Sequence, residues 1–324
     1  MRRVICSEFG SPLDLRIAEG PIPEPQAGEV LVEAVAVGVS FVDSLIVRGE
    51  YQVRPPLPFT PGSSVAGRVV AVGKGVEEAL VGTDVATVLP AFGGYATHIT
   101  VPAPLAVPLP AAVTPGTAAA VMESYLTLVF AVTHRVKITR GEQVVVLGAG
   151  GGIGQAAVDV ARAAGARVIA VASTEDKRAA AEAAGAEVTL GYDNLKDEIR
   201  TATGGGADVV VDPVGGDAAE SALRALGADG RYCVLGFASG RIPRLPANVV
   251  LLRNRSIVGI DWGDWSRAAG GATGNAVLLA DVLARVGRGE LMPGSPTIAP
   301  LADAGRTLQL IAERRAVGKY VLTP

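Results

Sequence analysis

The 324-residue sequence predicts an α/β protein in two parts, a β-rich and turn-dense one followed by a doubly wound parallel sheet. Three observations predict it. Up to about residue 115, apolar strand runs are bounded by Gly and Pro, with no helical period between them. From residue 143, continuous apolar strands alternate with Ala-rich helical stretches. A glycine-dense turn, Gly148-Ala149-Gly150-Gly151-Gly152-Ile153-Gly154, lies directly between one such strand and the helix after it. Strands that are apolar throughout are buried on both faces, and their alternation with helices implies a parallel sheet covered on each side. A chain of this length favours two domains.

Residues 30–37 are an apolar strand run, and 67–73 and 84–90 are shorter ones closed by Gly and Pro. Strands at that spacing suggest a compact, barrel-like domain. A Pro-marked segment, 102–115, ends this style. The alternating part then follows: strand 143–147, helix 153–164, strand 167–172, helix 175–184, and strands 208–212, 231–235 and 256–260. A helix near 274–288 and the closing Gly318-Lys319-Tyr320-Val321-Leu322 break the rhythm and are expected to return to the first domain. The expected boundaries are 1–117, 118–260 and 261–324.

Composition narrows the classes. Hydrophobic residues make up 49% and aromatics only 4%, so the core is built from Ala, Val, Leu and Ile. The 41 glycines sit at turns and show no repeat, which excludes a collagen-like or low-complexity chain. A net charge of −3 argues against a nucleic-acid partner, which would want a basic stripe. No apolar stretch reads as long enough to span a membrane, and residues 1–8 lack the apolar core of a signal peptide. Cys6 and Cys233, the only cysteines, offer no disulfide framework and fit the reducing cytoplasm as small buried hydrophobes.

The glycine turn carries the strongest chemical signal. A pyrophosphate needs close backbone approach, free N–H groups and a helix N-terminus. The literal G-x-G-x-x-G spacing fails, but Ala149-x-Gly151-x-x-Gly154 fits with Ala in the first slot. Between a strand and a helix this marks a dinucleotide site at Ala149, Gly151, Gly152, Ile153 and Gly154. The tip of the next strand selects the nucleotide. An acidic residue there would hold the ribose hydroxyls of NAD. Instead it reads Ala172-Ser173-Thr174, then Glu175, Asp176 and Lys177. Ser173 can donate to a 2′-phosphate and Lys177 supplies a charge one turn later, which favours NADPH. The same residues also suit a plain helix start, with Ser173 or Thr174 as cap and the acids on the dipole.

Further motifs then accumulate in order. Gly38-Val39-Ser40-Phe41-Val42-Asp43, Arg48-Gly49-Glu50-Tyr51 and Leu57-Pro58-Phe59-Thr60-Pro61-Gly62 with Ala66-Gly67 resemble the amino-terminal signature of the NADPH:quinone oxidoreductases. These are zinc-independent members of the medium-chain dehydrogenase/reductase superfamily. Gly93-Gly94-Tyr95-Ala96, Asp212-Pro213-Val214-Gly215-Gly216 and the closing Gly318-Lys319-x-Val321-Leu322 extend the resemblance over essentially the whole chain. It implies a GroES-like catalytic domain, a Rossmann domain and a cleft between them holding NADPH.

The resemblance also implies roles. Thr127 would approach the nicotinamide amide or ribose, and Tyr192 the adenosine phosphate. Val214, Gly215, Gly236 and Phe237 would border the ribose. Ser40, Asp43 and Tyr51 would line the substrate mouth. Tyr51 equally suits a packing aromatic, and Asp43 a turn or helix cap. Two positions depart from the family, which commonly has Asn at Ser40 and an acidic residue at Ser64. Zinc-dependent relatives carry Gly-His-Glu where this chain has Gly62-Ser63-Ser64, and the cysteine ligands are missing, so no zinc site of that kind can be assembled. His98 and His134 are left to surface or structural roles.

The expected chemistry is hydride transfer from nicotinamide to a quinone or an activated enone. The rivals are an enoyl, alkenal or enoyl-thioester double-bond reductase, and an NADPH-binding protein without turnover. Strand 256–260 is expected at the sheet edge, where its apolar composition invites a homodimer. Trp262 and Trp265 would cover that junction or pack between the domains.

Overall fold

The computed structural model describes residues 1–268 and 270–324. They form two compact units: Met1–Leu126 with Trp265–Gly289 and Ser295–Pro324, and Thr127–Asp264 with Glu290–Gly294.

Unit 1 starts with an antiparallel ribbon, β1 (Arg2–Ile5) and β2 (Arg16–Glu19). Its long central strand β3 (Glu29–Val39) alternates buried and exposed side chains through its middle, where Glu33 and Val35 face out, and is continuously buried from Ala36 to Val39. The short helix α1 (Phe41–Val47) follows, then β4 (Ser64–Val72), β5 (Asp84–Val88), β6 (His98–Pro102) and β7 (Val107–Pro108). The absence of a helix expected here does not hold, because Ser40 and Asp43 close a capping box that starts α1. A Ser-x-x-acid spacing before Leu45-Ile46-Val47 is the sequence signal for it.

Helix α2 (Pro115–Phe130) continues as a wider turn through Ala131–Arg135. This 21-residue helix has the length and composition of a membrane span, contrary to the expectation that no stretch would. Glu123 and several hydroxyl side chains interrupt the apolar run and hid its length. Of its most apolar window 67% is buried inside the protein, so the fold itself covers that surface. The divide between the units falls inside α2, between Leu126 and Thr127. The first half of α2 lies tightly on β3: a Cβ placed on Gly38 would meet the Ala119 carbonyl oxygen at 2.2 Å.

Unit 2 then runs β8 (Gln143–Leu147), α3 (Gly152–Ala163), β9 (Arg167–Val171), α4 (Glu175–Ala183), β10 (Val188–Leu190) and α5 (Leu195–Ala202). It continues with β11 (Ala207–Asp212), α6 (Ala218–Ala225), β12 (Leu226–Val234), α7 (Ala247–Leu251) and β13 (Ser256–Gly259). All pairings in its six-stranded sheet are parallel, in the order β10-β9-β8-β11-β12-β13. Val144 to Leu147 and Val168 to Val171 are almost wholly buried, as strands covered on both faces must be.

The chain goes on through α8 (Trp262–Arg267), α9 (Gly271–Gly287), β14 (Thr297–Pro300), α10 (Ala304–Ala312) and β15 (Tyr320–Thr323). β15 inserts between β14 and β3, completing a sheet of seven strands in which β6 also pairs with β3. Trp265 is used within unit 1, its indole lying against Gly274 of α9.

Candidate active site

In unit 2 the strand order reverses between β8 and β11, and ligands of open α/β sheets bind beyond the strand ends at such a switch. The loops there are drawn together. The Gly148 N–H donates to the Tyr192 hydroxyl at 3.0 Å, and Val214 lies over Gly148. Gly154 is held where a Cβ would come 2.2 Å from the Gly148 carbonyl oxygen and 2.6 Å from the Ala149 Cα. The turn and the first turn of α3 are therefore in backbone contact. Gly151 caps α3 and offers no side chain, leaving the first N–H groups of a twelve-residue helix open to an anion. That cradle fits a dinucleotide pyrophosphate.

Most of the other expected nucleotide residues lie on the loops at these strand ends. Lys177 lies beside Gly150, whose added Cβ would sit 2.4 Å from the lysine Cβ. Thr174, not Ser173, caps α4 by accepting from the Lys177 N–H, which leaves Ser173 exposed at the tip of β9. Phe237 lies against Gly215, and the Ala238 and Ser239 N–H groups donate to the Pro213 and Val214 carbonyls. These bonds tie the loop carrying Gly236 and Phe237 to the loop carrying Val214 and Gly215. Ala149 is buried beneath the turn, and Gly152 and Ile153 open α3 half-buried. Thr127 stands half-buried on α2 at the start of unit 2.

Sequence reasoning missed the residue that shapes this region. Asp212, 1% exposed, accepts from the Val214 and Gly215 N–H groups at 2.7 and 2.9 Å, and from the Tyr232 hydroxyl. Burial, then the Asp212 charge, holds the Tyr232 phenol far above its usual range, so it remains a donor. The acid that opens Asp212-Pro213-Val214-Gly215-Gly216 is the signal: it bonds its own turn two and three residues on.

Unit 1 brings Ser40 and Asp43 together as the two halves of the α1 cap. The Ser40 Oγ accepts the Asp43 N–H, and the Asp43 carboxylate accepts the Ser40 N–H, each at 3.0 Å. The cap reading of Asp43 is thus realised. The Tyr95 hydroxyl donates a second bond to the carboxylate oxygen that accepts the Ser40 N–H, at 3.0 Å. Tyr51 is half-buried in the bend after α1. Ser64 is buried and pairs with Gly38, and the acid near Ser40 comes instead from α2. Glu123 accepts a hydrogen bond from Ser40 and faces Lys319, whose ammonium donates to the Ser124 hydroxyl at 2.9 Å. Burial, then the Glu123 charge, pushes Asp43 up to about 7. Burial also pushes Glu123 up and Lys319 down, and their mutual attraction opposes both shifts. Glu123 is the one charge in the sixteen residues of α2, and that isolation was the signal for it.

The donor set does not suit a metal ion: among the described residues no three His, Cys, Asp or Glu side chains lie close enough to hold one. Cys6 and Cys233 are each buried, in different units.

A β-rich unit joined to a nucleotide-cradling parallel sheet defines a dehydrogenase-type architecture. Residues 26–111 match the alcohol dehydrogenase GroES-like domain and residues 152–273 the zinc-binding dehydrogenase domain. The chain is 35% identical to quinone oxidoreductase-like protein 2 of Bos taurus, over 99% of this chain and 92% of that one. Its structure resembles the quinone oxidoreductase of Thermus thermophilus, known also in complex with NADPH, with a TM-score of 0.85, 33% identity and full coverage of both chains. The Escherichia coli quinone oxidoreductase complexed with NADPH gives a TM-score of 0.89 at 28% identity, again over both whole chains. The chain belongs to the medium-chain dehydrogenase/reductase family, of the NADPH:quinone oxidoreductase type, and it is an oxidoreductase.

Proposed function

We propose that this protein reduces an electron-poor small molecule, a quinone or an activated enone, with NADPH and without zinc. The observation that carries the reading is the switch-point cradle with Lys177 and Ser173 beside it and no acid at the tip of β9. Gly151 and the start of α3 would hold the pyrophosphate, Ser173 and Lys177 the 2′-phosphate, and Val214, Gly215, Gly236 and Phe237 would border the ribose. When bound, the nicotinamide supplies a hydride. Ser40, Asp43 and Tyr51 would line the acceptor's approach. The chain's own contribution is to orient the two partners and keep water out.

Fluorescence titration with both nucleotides tests the cofactor. Lys177→Ala should weaken NADPH by about 1.5–3 kcal/mol, the worth of a charge-assisted hydrogen bond, and leave NADH nearly unchanged. Equal affinity of the parent protein for the two nucleotides would reject NADPH selectivity. NADPH oxidation across quinones, enones and enoyl thioesters separates the acceptor classes, and no turnover with any of them would leave a nucleotide-binding protein.

Zinc independence rests on the unsuitable donor set. Prolonged chelation should leave turnover unchanged, whereas activity lost to the chelator and restored by zinc would overturn that part of the reading.

A further inference from the structure

An acceptor reduced by hydride gains a negative charge, and a proton must follow to complete the product. The cluster under α1 has the composition of a proton store. Two carboxyl groups, Asp43 and Glu123, share their surroundings with one ammonium, Lys319, and each acts electrostatically on the others. The remaining titratable neighbour is the Tyr95 phenol, held neutral by burial and by Asp43. With all three charges formed the cluster would be negative in a place largely shut from water, which is costly. One proton shared between the two acids makes it neutral, and the pair then titrates as a unit.

The hydrogen bonds give that proton a direction. Asp43 is tied down on one oxygen by the Ser40 N–H and the Tyr95 hydroxyl. Glu123 is bonded to the Ser40 hydroxyl, whose oxygen also receives the Asp43 N–H. Ser40 is therefore the polar atom common to both acids. Lys319 reaches the cluster from the residue just before β15 and is steadied by Ser124.

We propose that Asp43, Glu123 and Lys319 store the proton that completes the reduction, and that Glu123 delivers it to the acceptor through the Ser40 hydroxyl. This rests on the oxidoreductase reading above. The acceptor receives two electrons and one hydrogen nucleus as hydride from the nicotinamide. Its resulting anion takes the Ser40 hydroxyl proton, and the Ser40 oxygen takes the proton from the Glu123 carboxyl. Glu123 is left as a carboxylate facing the Lys319 ammonium, and water restores the proton before the next turnover. Glu123 acts through Ser40, so its removal affects proton supply and not nucleotide binding.

Carboxyl-carbon NMR on the protein without nucleotide tests the store directly. One of the two carboxyls should keep its proton at about pH 7 in the parent. In Glu123→Gln one acid faces one base, and Asp43 should ionise well below its parent value. Asp43→Asn makes the same test from the other side should Glu123→Gln fail to fold. In turnover, Glu123→Gln should lower kcat about a hundredfold, with the NADPH dissociation constant unchanged. The parent's rate should fall above about pH 7 as the shared proton is lost, and that limb should vanish in the variant. Two ionised carboxyls at neutral pH in the parent, or a Glu123→Gln enzyme with the parent's kcat and pH profile, would overturn the proposal. Failure of the acceptor reading looks different: no quinone, enone or enoyl thioester then supports NADPH oxidation by the parent and the delivery step falls with it, while the titration still decides the store.

Discussion

Gly154→Val should abolish NADPH binding and destabilise unit 2 measurably. The space a side chain would need at this position is taken by the Gly148 carbonyl oxygen at 2.2 Å and the Ala149 Cα at 2.6 Å. Both are backbone atoms, so neither can swing aside as a lysine tip would. Either the first turn of α3 lifts away from β8 or the glycine turn deforms, and each movement takes N–H groups off the pyrophosphate. Forcing such bulk into a close-packed site costs about 1–3 kcal/mol in stability. Nucleotide titration and thermal unfolding measure the two losses separately. Gly10→Ala, where nothing stands within 4 Å of the new carbon, is the control and should leave both unchanged. A folded Gly154→Val protein with the parent's NADPH affinity would remove the cradle from the binding site.

Light scattering at micromolar concentration should give twice the 32.8 kDa mass of the chain. β13 pairs with β12 on one side and stands last in the sheet order. Ile257 on it is 41% exposed, and Leu251 and Leu252 just before it are 78% and 63% exposed. An unpaired edge flanked by large apolar side chains favours another strand over water. A two-fold axis would pair β13 with its own copy, joining the two sheets of six strands into one. Val258→Lys would set two like charges close together across that axis and should return the mass to that of one chain. A parent protein that is monomeric under these conditions rejects the arrangement.

Unit 2 was legible in the sequence because each of its signals is local. Strand 143–147 is continuous and apolar, Gly154 stands at the spacing a strand–turn–helix contact requires, and Lys177 falls in the first turn of α4. The short elements β10, α5 and α7 carry too few residues to announce a period. Unit 1 was less legible for a different reason. Its strands pair over long separations, and its helix α1 is only seven residues long. The acid–base cluster was the hardest to see. Asp43 was picked out by resemblance, but Glu123 and Lys319 lie 80 and 276 residues further along, and no spacing rule connects them. A single acid in an apolar helix signals that a partner exists without saying where.

The insertion of β15 between β14 and β3 bears on how the nascent protein assembles. Residues 127–264 can close their sheet as soon as they have been synthesised, since all six strands lie within them. The first unit cannot do the same, for the Val37–Val39 end of β3 waits for Tyr320–Leu322. At the usual pace of translation, the 195 residues that separate Ser124 from Lys319 take roughly 10–40 seconds to appear. Through that interval the earliest part of the chain presents an open strand edge, and Glu123 and Asp43 lack their counter-charge. The ribosome thus delivers the second unit's sheet complete while the first unit's is unfinished, and β15 with its neighbouring lysine closes that sheet and brings the acids their counter-charge in one late event.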